Sequence, residues 1–220
     1  MIQPIVMNND SGIISFQHCN HKNIYCINIP TNCPICKICL RNLQNIPIRV
    51  PYPFVRASQQ SCSVIVKPTR GDFLNNYQLM DDLHIGVTTS RGTVVSYDWE
   101  GIIEDTENWQ GCLVVFQLND HCMETHWDTT LADIVKNECW DSSRYNEEDH
   151  NCFSFIIAFI KQFYNFKSPV QHIETREDFA ELYVAPTTIK AYKYIYLYRK
   201  ITENGFYIYN QSSNEILCTQ

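Results

Sequence analysis

The apolar residues of this chain change period along its length. Cys62–Lys67 is rich in β-branched residues and predicts a strand. His84–Thr89 and Thr93–Tyr97 predict two more, joined by Ser90-Arg91-Gly92, where Gly92 supplies the positive φ of a short turn. Cys112–Leu118 predicts a fourth. The period then becomes helical: Trp127, Leu131, Ile134 and Val135 predict a helix over about 124–136. A second helix is predicted from about Asn151 to Tyr164. Phe153, Ile156, Ile157, Ile160 and Phe163 form one stripe, and Phe155 and Phe159 make a second face apolar, so this helix is buried on most sides. Further on, Tyr192, Tyr194, Tyr196 and Tyr198 alternate with Lys193, Ile195, Leu197 and Arg199, which predicts a period-two strand. Asn204-Gly205 then turns the chain into a last strand, Phe206–Tyr209. Strands, helices and strands in that order predict an α+β fold, an antiparallel sheet packed on a buried helix.

The first ~45 residues have a different character. They are dense in Cys and His around the apolar alternation Ile24-Tyr25-Cys26-Ile27. A segment so short buries too little surface to fold alone and is of the kind held together by a metal. Pro47, Pro51 and Pro53 mark an extended linker. The expected organisation is a Cys/His metal-binding unit over 10–46 and a main domain over 54–220. Cys33-x-x-Cys36 with Cys19 upstream gives three thiols at zinc spacing. His18, His21 and Cys39 compete to be the fourth ligand. His21 is placed first, because His18 sits directly beside Cys19 and adjacent ligands strain the geometry, while Cys39 can face the core. The expected zinc-knuckle-like site is a structural staple. A redox dithiol would call for a βαβ context that is missing.

Composition narrows the function classes. The 220 residues are 45% apolar and 19% charged, a globular balance. Seventeen basic against 24 acidic residues give a net charge of −7 with no Lys/Arg block, which argues against nucleic acid and anionic membranes as partners. No apolar run reaches the ~18 residues of a membrane span, and no signal peptide, myristoylation or prenylation signal is read. Eleven cysteines without a secretory signal predict a reducing cytoplasmic or nuclear setting, with thiols serving as ligands, core fillers or a nucleophile.

Cys152 is the candidate nucleophile. Asp149 or Asn151 can cap the buried helix, which places Cys152 in its first turn. There the helix field favours the thiolate, and backbone amides of the turn can hold an oxyanion. His84 is the best placed base, with Gly86 two residues along on the same strand face leaving room beside the imidazole. If Ser90-Arg91-Gly92 is a three-residue loop, Thr89 pairs with Thr93 and His84 falls opposite Asp98. Asp98 would then orient the imidazole, with Ser96 on the same face as the fallback.

His84-Ile85-Gly86-Val87 followed by Asn151-Cys152-Phe153-Ser154-Phe155 resembles the paired motifs of lecithin retinol acyltransferase-like and NlpC-type proteins and of desumoylating PPPDE peptidases. The resemblance implies a permuted papain-like core with Cys152 as nucleophile, His84 as base and a third polar group at Asp98 or Ser96. Over nearly the whole chain, the segments His18-Cys19, Cys33-Pro34-Ile35-Cys36, Lys67-Pro68-Thr69, Gly71-Asp72-Phe73-Leu74, Asp82–Thr88, Tyr145-Asn146 and Asn151-Cys152-Phe153 are similar to the makorin-2 opposite-strand protein family, which supplies no substrate. No C-terminal membrane anchor is read and the third polar group is not a histidine; both departures weigh against a lipid acyltransferase. The expected function is a cysteine hydrolase of an amide, isopeptide or ester, with a protein or peptide substrate. A catalytically inactive interaction module and a thioester-forming acyltransferase are the alternatives.

Overall fold

The computed structural model describes residues 12–19, 22–41, 43, 45–164 and 173–209. In chain order the main elements are β1 (Ile14–His18), β2 (Lys22–Cys26), β3 (Ile48–Arg49), β4 (Val55–Arg56), β5 (Ser63–Pro68), β6 (Leu83–Thr88), β7 (Val94–Asp98), β8 (Gly101–Asp105), β9 (Gln110–Gln117), α1 (Glu124–Val135), α2 (Cys152–Phe163), α3 (Arg176–Phe179), a π-helical stretch (Ala180–Val184), α4 (Ala185–Asn204) and β10 (Tyr207–Tyr209). The chain forms two compact units, residues 1–52 with 193–220 and residues 53–192. This differs from the expected boundary at 54–220, because β10 pairs with β2 and so belongs with the first unit. No helix among the described residues is long and apolar enough to cross a membrane.

The first unit is built on a four-stranded antiparallel sheet in the order β10-β2-β1-β3. Phe16 faces Ile24 across β1 and β2, and Ile24 faces Ile208. Phe16, Ile24, Cys26, Cys33 and Leu40 form its buried core.

The second unit carries a six-stranded sheet, β4-β9-β5-β6-β7-β8, with every pairing antiparallel. The β6–β7 turn has the predicted register. Thr89 N–H donates to the Thr93 carbonyl at 2.8 Å, Val87 pairs with Val95, and Gly92 takes φ +81°. Ladder pairing between β6 and β7 is confined to Val87–Val95 and Thr88–Val94; towards His84 and Asp98 the strands part.

One sheet face carries Val64, Val87 and Phe116, and the helices pack there. Phe116 stacks on Trp127 of α1, which meets Phe159 and Phe163 of α2 edge-on. Trp127 is fully buried and its indole N–H donates to the Thr88 carbonyl at 2.8 Å. The opposite face carries Lys67, Ile65, His84 and Gly86, since side chains alternate along a strand. Trp109, Ala57, Val94 and Cys112 complete its buried patch with Ile65.

The tyrosine-rich segment is a helix, not the expected strand. The buried positions Val184, Thr188, Ala191, Tyr194, Ile195 and Ile201 recur every three or four residues. Tyr194 and Ile195 are both buried, which a half-exposed strand forbids and a helix allows. The tyrosine–lysine alternation is thus a chance overlay on a helical stripe. Gly205, at φ +81°, donates its N–H to the Ile201 carbonyl at 2.7 Å and ends the helix.

Trp127→Ala removes the ring that ties both helices to the sheet and orphans the Thr88 carbonyl. It is expected to cost about 3–5 kcal/mol, read as a lowered midpoint in chemical denaturation.

Candidate functional site

Two constellations carry chemistry, one in each unit. In the first, β1 ends at His18 and Cys19 adopts a positive φ of +50°. That left-handed residue breaks the strand's alternation, so two neighbours turn to the same side. His18 Nδ1 lies 3.1 Å from Cys19 Sγ and 3.5 Å from Cys36 Sγ, and Cys19 Sγ lies 3.6 Å from Cys33 Sγ. The four ligand atoms all fall within 4.8 Å of one another. The hairpin holding Cys33 and Cys36 is locally determined: Cys33 N–H reaches the Ile38 carbonyl at 2.7 Å, Lys37 N–H reaches the Cys33 carbonyl at 2.9 Å, and Lys37 takes φ +63°. The Ile35 amide donates to Cys33 Sγ at 3.4 Å, a bond that steadies a thiolate.

The donor separations match a tetrahedron about a metal with bonds of about 2.0–2.3 Å. Crowded without a cation, the thiols shift apart. The hydrogen bond with Cys36 is the main cause pushing Cys19 up to about 12, while the same bond lowers Cys36. A divalent ion would relieve that conflict by letting all three ionise. Cys19, Cys33 and Cys36 therefore converge, with His18 as the fourth donor. Adjacency to Cys19 argued against His18, and the backbone inversion at Cys19 lets both side chains join the cluster. His21 lies outside the described residues, and Cys39 is exposed and outside the cluster.

The second constellation gathers where β6 and β7 part. Asn151 caps α2, its side-chain oxygen accepting from Phe153 N–H at 2.9 Å and Ser154 N–H at 3.3 Å, while Ser154 Oγ accepts from Asn151 N–H at 2.7 Å. Cys152 is the next residue, 6% exposed, at the end of a helix that packs on β6 and β7. The Ile85 amide donates to its sulfur. The thiol thus takes up a β6 amide within the gap between the strands, one residue from His84.

Asp98 acts electrostatically on both partners. It opposes the downward shift of His84 and adds to the upward shift of Cys152. It ends β7 beyond the paired residues Val94 and Val95, so the β6–β7 ladder does not set it opposite His84, and its Oδ1 accepts the Glu100 amide at 2.8 Å. Among the described residues no hydrogen bond reaches the His84 ring, so Asp98 does not orient the imidazole directly. Ser96 is 3% exposed, pairs with Ile103 in the ladder, and stays a buried sheet residue.

Protonation states correct one expectation. Burial raises the Cys152 thiol, outweighing the amide hydrogen bonds from Ile85, Phe153 and its own backbone. The helix start therefore does not make a resting thiolate. His84 is lowered to about 4, first by burial and then by the Lys67 charge. At neutral pH both partners are uncharged. The expected oxyanion donors are also partly committed, since the Phe153 and Ser154 amides serve the Asn151 cap.

Some residues of the site carried no signal in the sequence. Lys67 lies opposite His84 in the β5–β6 ladder, and Trp109 packs on the His84 ring with centroids 5.5 Å apart. Tyr145 is raised by burial first and then by the charges of Cys152, Glu147, Asp98 and Tyr97. His150 stacks on Trp140 at 4.8 Å and 2° and contacts the Cys139 carbonyl through Nε2 at 2.7 Å.

A model of the DUF4796 C-terminal region matches residues 47–201, and a model of the DUF4796 N-terminal region matches residues 11–40. The human MKRN2 opposite strand protein is 36% identical over 206 residues, 90% of this chain and 89% of that protein. No solved structure matches the chain.

The low His84 value has a sign for stability. Below its ordinary value of 6.5 the unfolded imidazole takes up a proton that the folded one refuses until about pH 4. His84 therefore contributes stability above pH 6.5 that is lost as the pH falls from 6.5 to about 4. Denaturation series across that window should show a shallower loss for His84→Gln than for the unsubstituted protein.

Proposed function

The chain belongs to the DUF4796 family, and from its two sites we propose that it is a zinc-stapled cysteine hydrolase, with a permuted papain-like core, acting on an amide, isopeptide or ester bond. The observation that carries this reading is the seating of the Cys152 sulfur on the amide of Ile85, the residue after His84 in β6, with Asp98 in electrostatic reach of both. A buried helix delivering a cysteine to the strand that bears a histidine supports the permuted papain-like reading as well.

The pair works from neutral forms. As Cys152 Sγ attacks the carbonyl carbon, the S–H proton passes to His84 and the S–C bond forms, leaving a tetrahedral oxyanion. His84 then returns that proton to the departing nitrogen or oxygen as its bond to carbon breaks. A water attacks the resulting thioester, giving one proton to His84 and its hydroxyl to the acyl carbon; the C–S bond then breaks, releasing the acid, and the proton on His84 passes to the sulfur and restores the thiol. A neutral imidazole is the competent base for the first step, and Lys67 beside it disfavours the imidazolium. The Tyr145 phenol, held protonated, is a donor near the developing charge.

Zinc is the metal that three thiols and one imidazole at these separations favour. Bound by His18, Cys19, Cys33 and Cys36, it would supply folding free energy to the small unit, and a closed four-ligand shell leaves no position for a substrate. The resemblance of the paired motifs to enzymes acting on protein amides points to a protein or peptide substrate.

A second reading rests on one observation: the His84 ring packs on Trp109 and makes no hydrogen bond to Cys152 among the described residues. On that reading the core is an inactive interaction module.

With an activated ester such as p-nitrophenyl acetate, the intact protein should release a burst of nitrophenol and carry one acetyl group on Cys152. Cys152→Ser should abolish the burst and His84→Ala should slow it by at least about 100-fold, within the range for a general base. Acetylation spread over many cysteines would favour the inactive module. Purified protein should contain about one zinc per chain, the complement of a single four-ligand site. That content should fall in His18→Ala, Cys33→Ser and Cys36→Ser and hold in Cys39→Ser.

A further inference from the structure

The His84 imidazole has no hydrogen bond among the described residues to set its orientation, so packing must do so. Three neighbours supply it. Lys67 is directly opposed to His84 across β5 and β6, which places both side chains on one sheet face with Cβ atoms about 4.5–5.5 Å apart. Trp109 lies over that face, 4% exposed, its ring 5.5 Å from the imidazole at 33°. Lys67 Nζ stands 4.5 Å from the indole centroid, within cation–π range.

Gly86 makes the arrangement fit. A Cβ there would stand 3.1 and 3.2 Å from Trp109 Cη2 and Cζ2 and 2.8 Å from Val94 Cγ1. Its φ is not in the left-handed region, so glycine is required for space rather than for conformation. The hollow that the sequence predicts beside the imidazole exists, and an indole fills it.

We propose that Trp109, clamped by Lys67 over Gly86, is the positioning residue of His84, fixing the imidazole plane for proton exchange with Cys152. This deepens the hydrolase reading and rests on it for the role of His84. Lys67 has two effects. Its cation pins the indole, and it opposes a second positive charge on the imidazole. The charged and titratable groups that act on Lys67 at this face are Asp98 on β7, Asp105 on β8 and Cys112 on β9, with His84 opposite it on β6. Asp98 and Asp105 favour the Lys67 ammonium, and burial opposes it.

The test combines a histidine titration with the ester burst. Ring signals of His84, assigned with His84→Ala, are followed by NMR against pH in the full chain. Lys67→Met should move the His84 midpoint upward by at least half a unit, and Lys67→Arg, which keeps a stacking cation, should leave it near the original value. Trp109→Phe and Gly86→Ala should each slow the burst at least tenfold and change the nuclear Overhauser contacts of the imidazole. A folded Lys67→Met protein with an unmoved midpoint, together with a folded Trp109→Phe protein whose imidazole contacts are unchanged, would overturn the clamp. Should His84→Ala leave Cys152 acetylation untouched while the Lys67 and Trp109 variants still move the imidazole signals, the hydrolase reading fails and the clamp stands.

Discussion

The parting of β6 and β7 is the constraint on which the second unit's chemistry depends. An antiparallel pair that continued to its ends would satisfy the Ile85 amide from the neighbouring strand. Here pairing is confined to Val87–Val95 and Thr88–Val94, and the thiol of Cys152 takes the amide instead. A buried donor must find a partner, so the helix start and the strand are tied together by the contact of the sulfur with the amide of Ile85, the residue after His84. The apolar body of α2, with Phe155, Phe159 and Ile156 fully buried, supplies the rigidity that holds Cys152 there.

Burial then decides the electrostatics. A helix N-terminus contributes a modest stabilisation to an anion in its first turn, whereas desolvation acts on the whole charge. The result is a protonated Cys152 and a neutral His84, which form no ion pair at rest. The N-terminal cluster has the opposite character. Its thiols sit close together, where a divalent cation could hold all three ionised. That unit also recruits β10 from beyond residue 200, so its sheet is closed by the two ends of the described chain.

Much of this was legible before any coordinates. The β-branched runs gave strands, the 3–4 spacing gave α1 and α2, and counting outward from Gly92 gave the Val87–Val95 and Thr88–Val94 register, though the pairing stops short of His84 and Asp98. The human relative and both family models agree with the family resemblance drawn from the motifs. Other features were illegible for physical reasons. Tyr192–Tyr198 alternates in type but not in burial, and burial is what distinguishes a strand from a helix. His18 was disfavoured as the direct neighbour of Cys19, and one positive φ at Cys19 lets both side chains join the cluster. Trp109 follows a loop and reaches His84 only through the sheet, so nothing in its sequence neighbourhood marks it. The antiparallel α+β architecture was foreseen, while the passage of residues 193–209 into the first unit depended on the β2–β10 pairing.

The account stands on Cys152 and His84 acting as one site. The most direct measurement is site-resolved alkylation: a slow iodoacetamide pulse on the native, zinc-loaded protein, with every cysteine peptide quantified by mass spectrometry. The account predicts that Cys152 reacts faster than its burial alone would allow, and that His84→Ala suppresses that excess while leaving the exposed Cys122 unchanged. Equal Cys152 rates with and without the imidazole would contradict it.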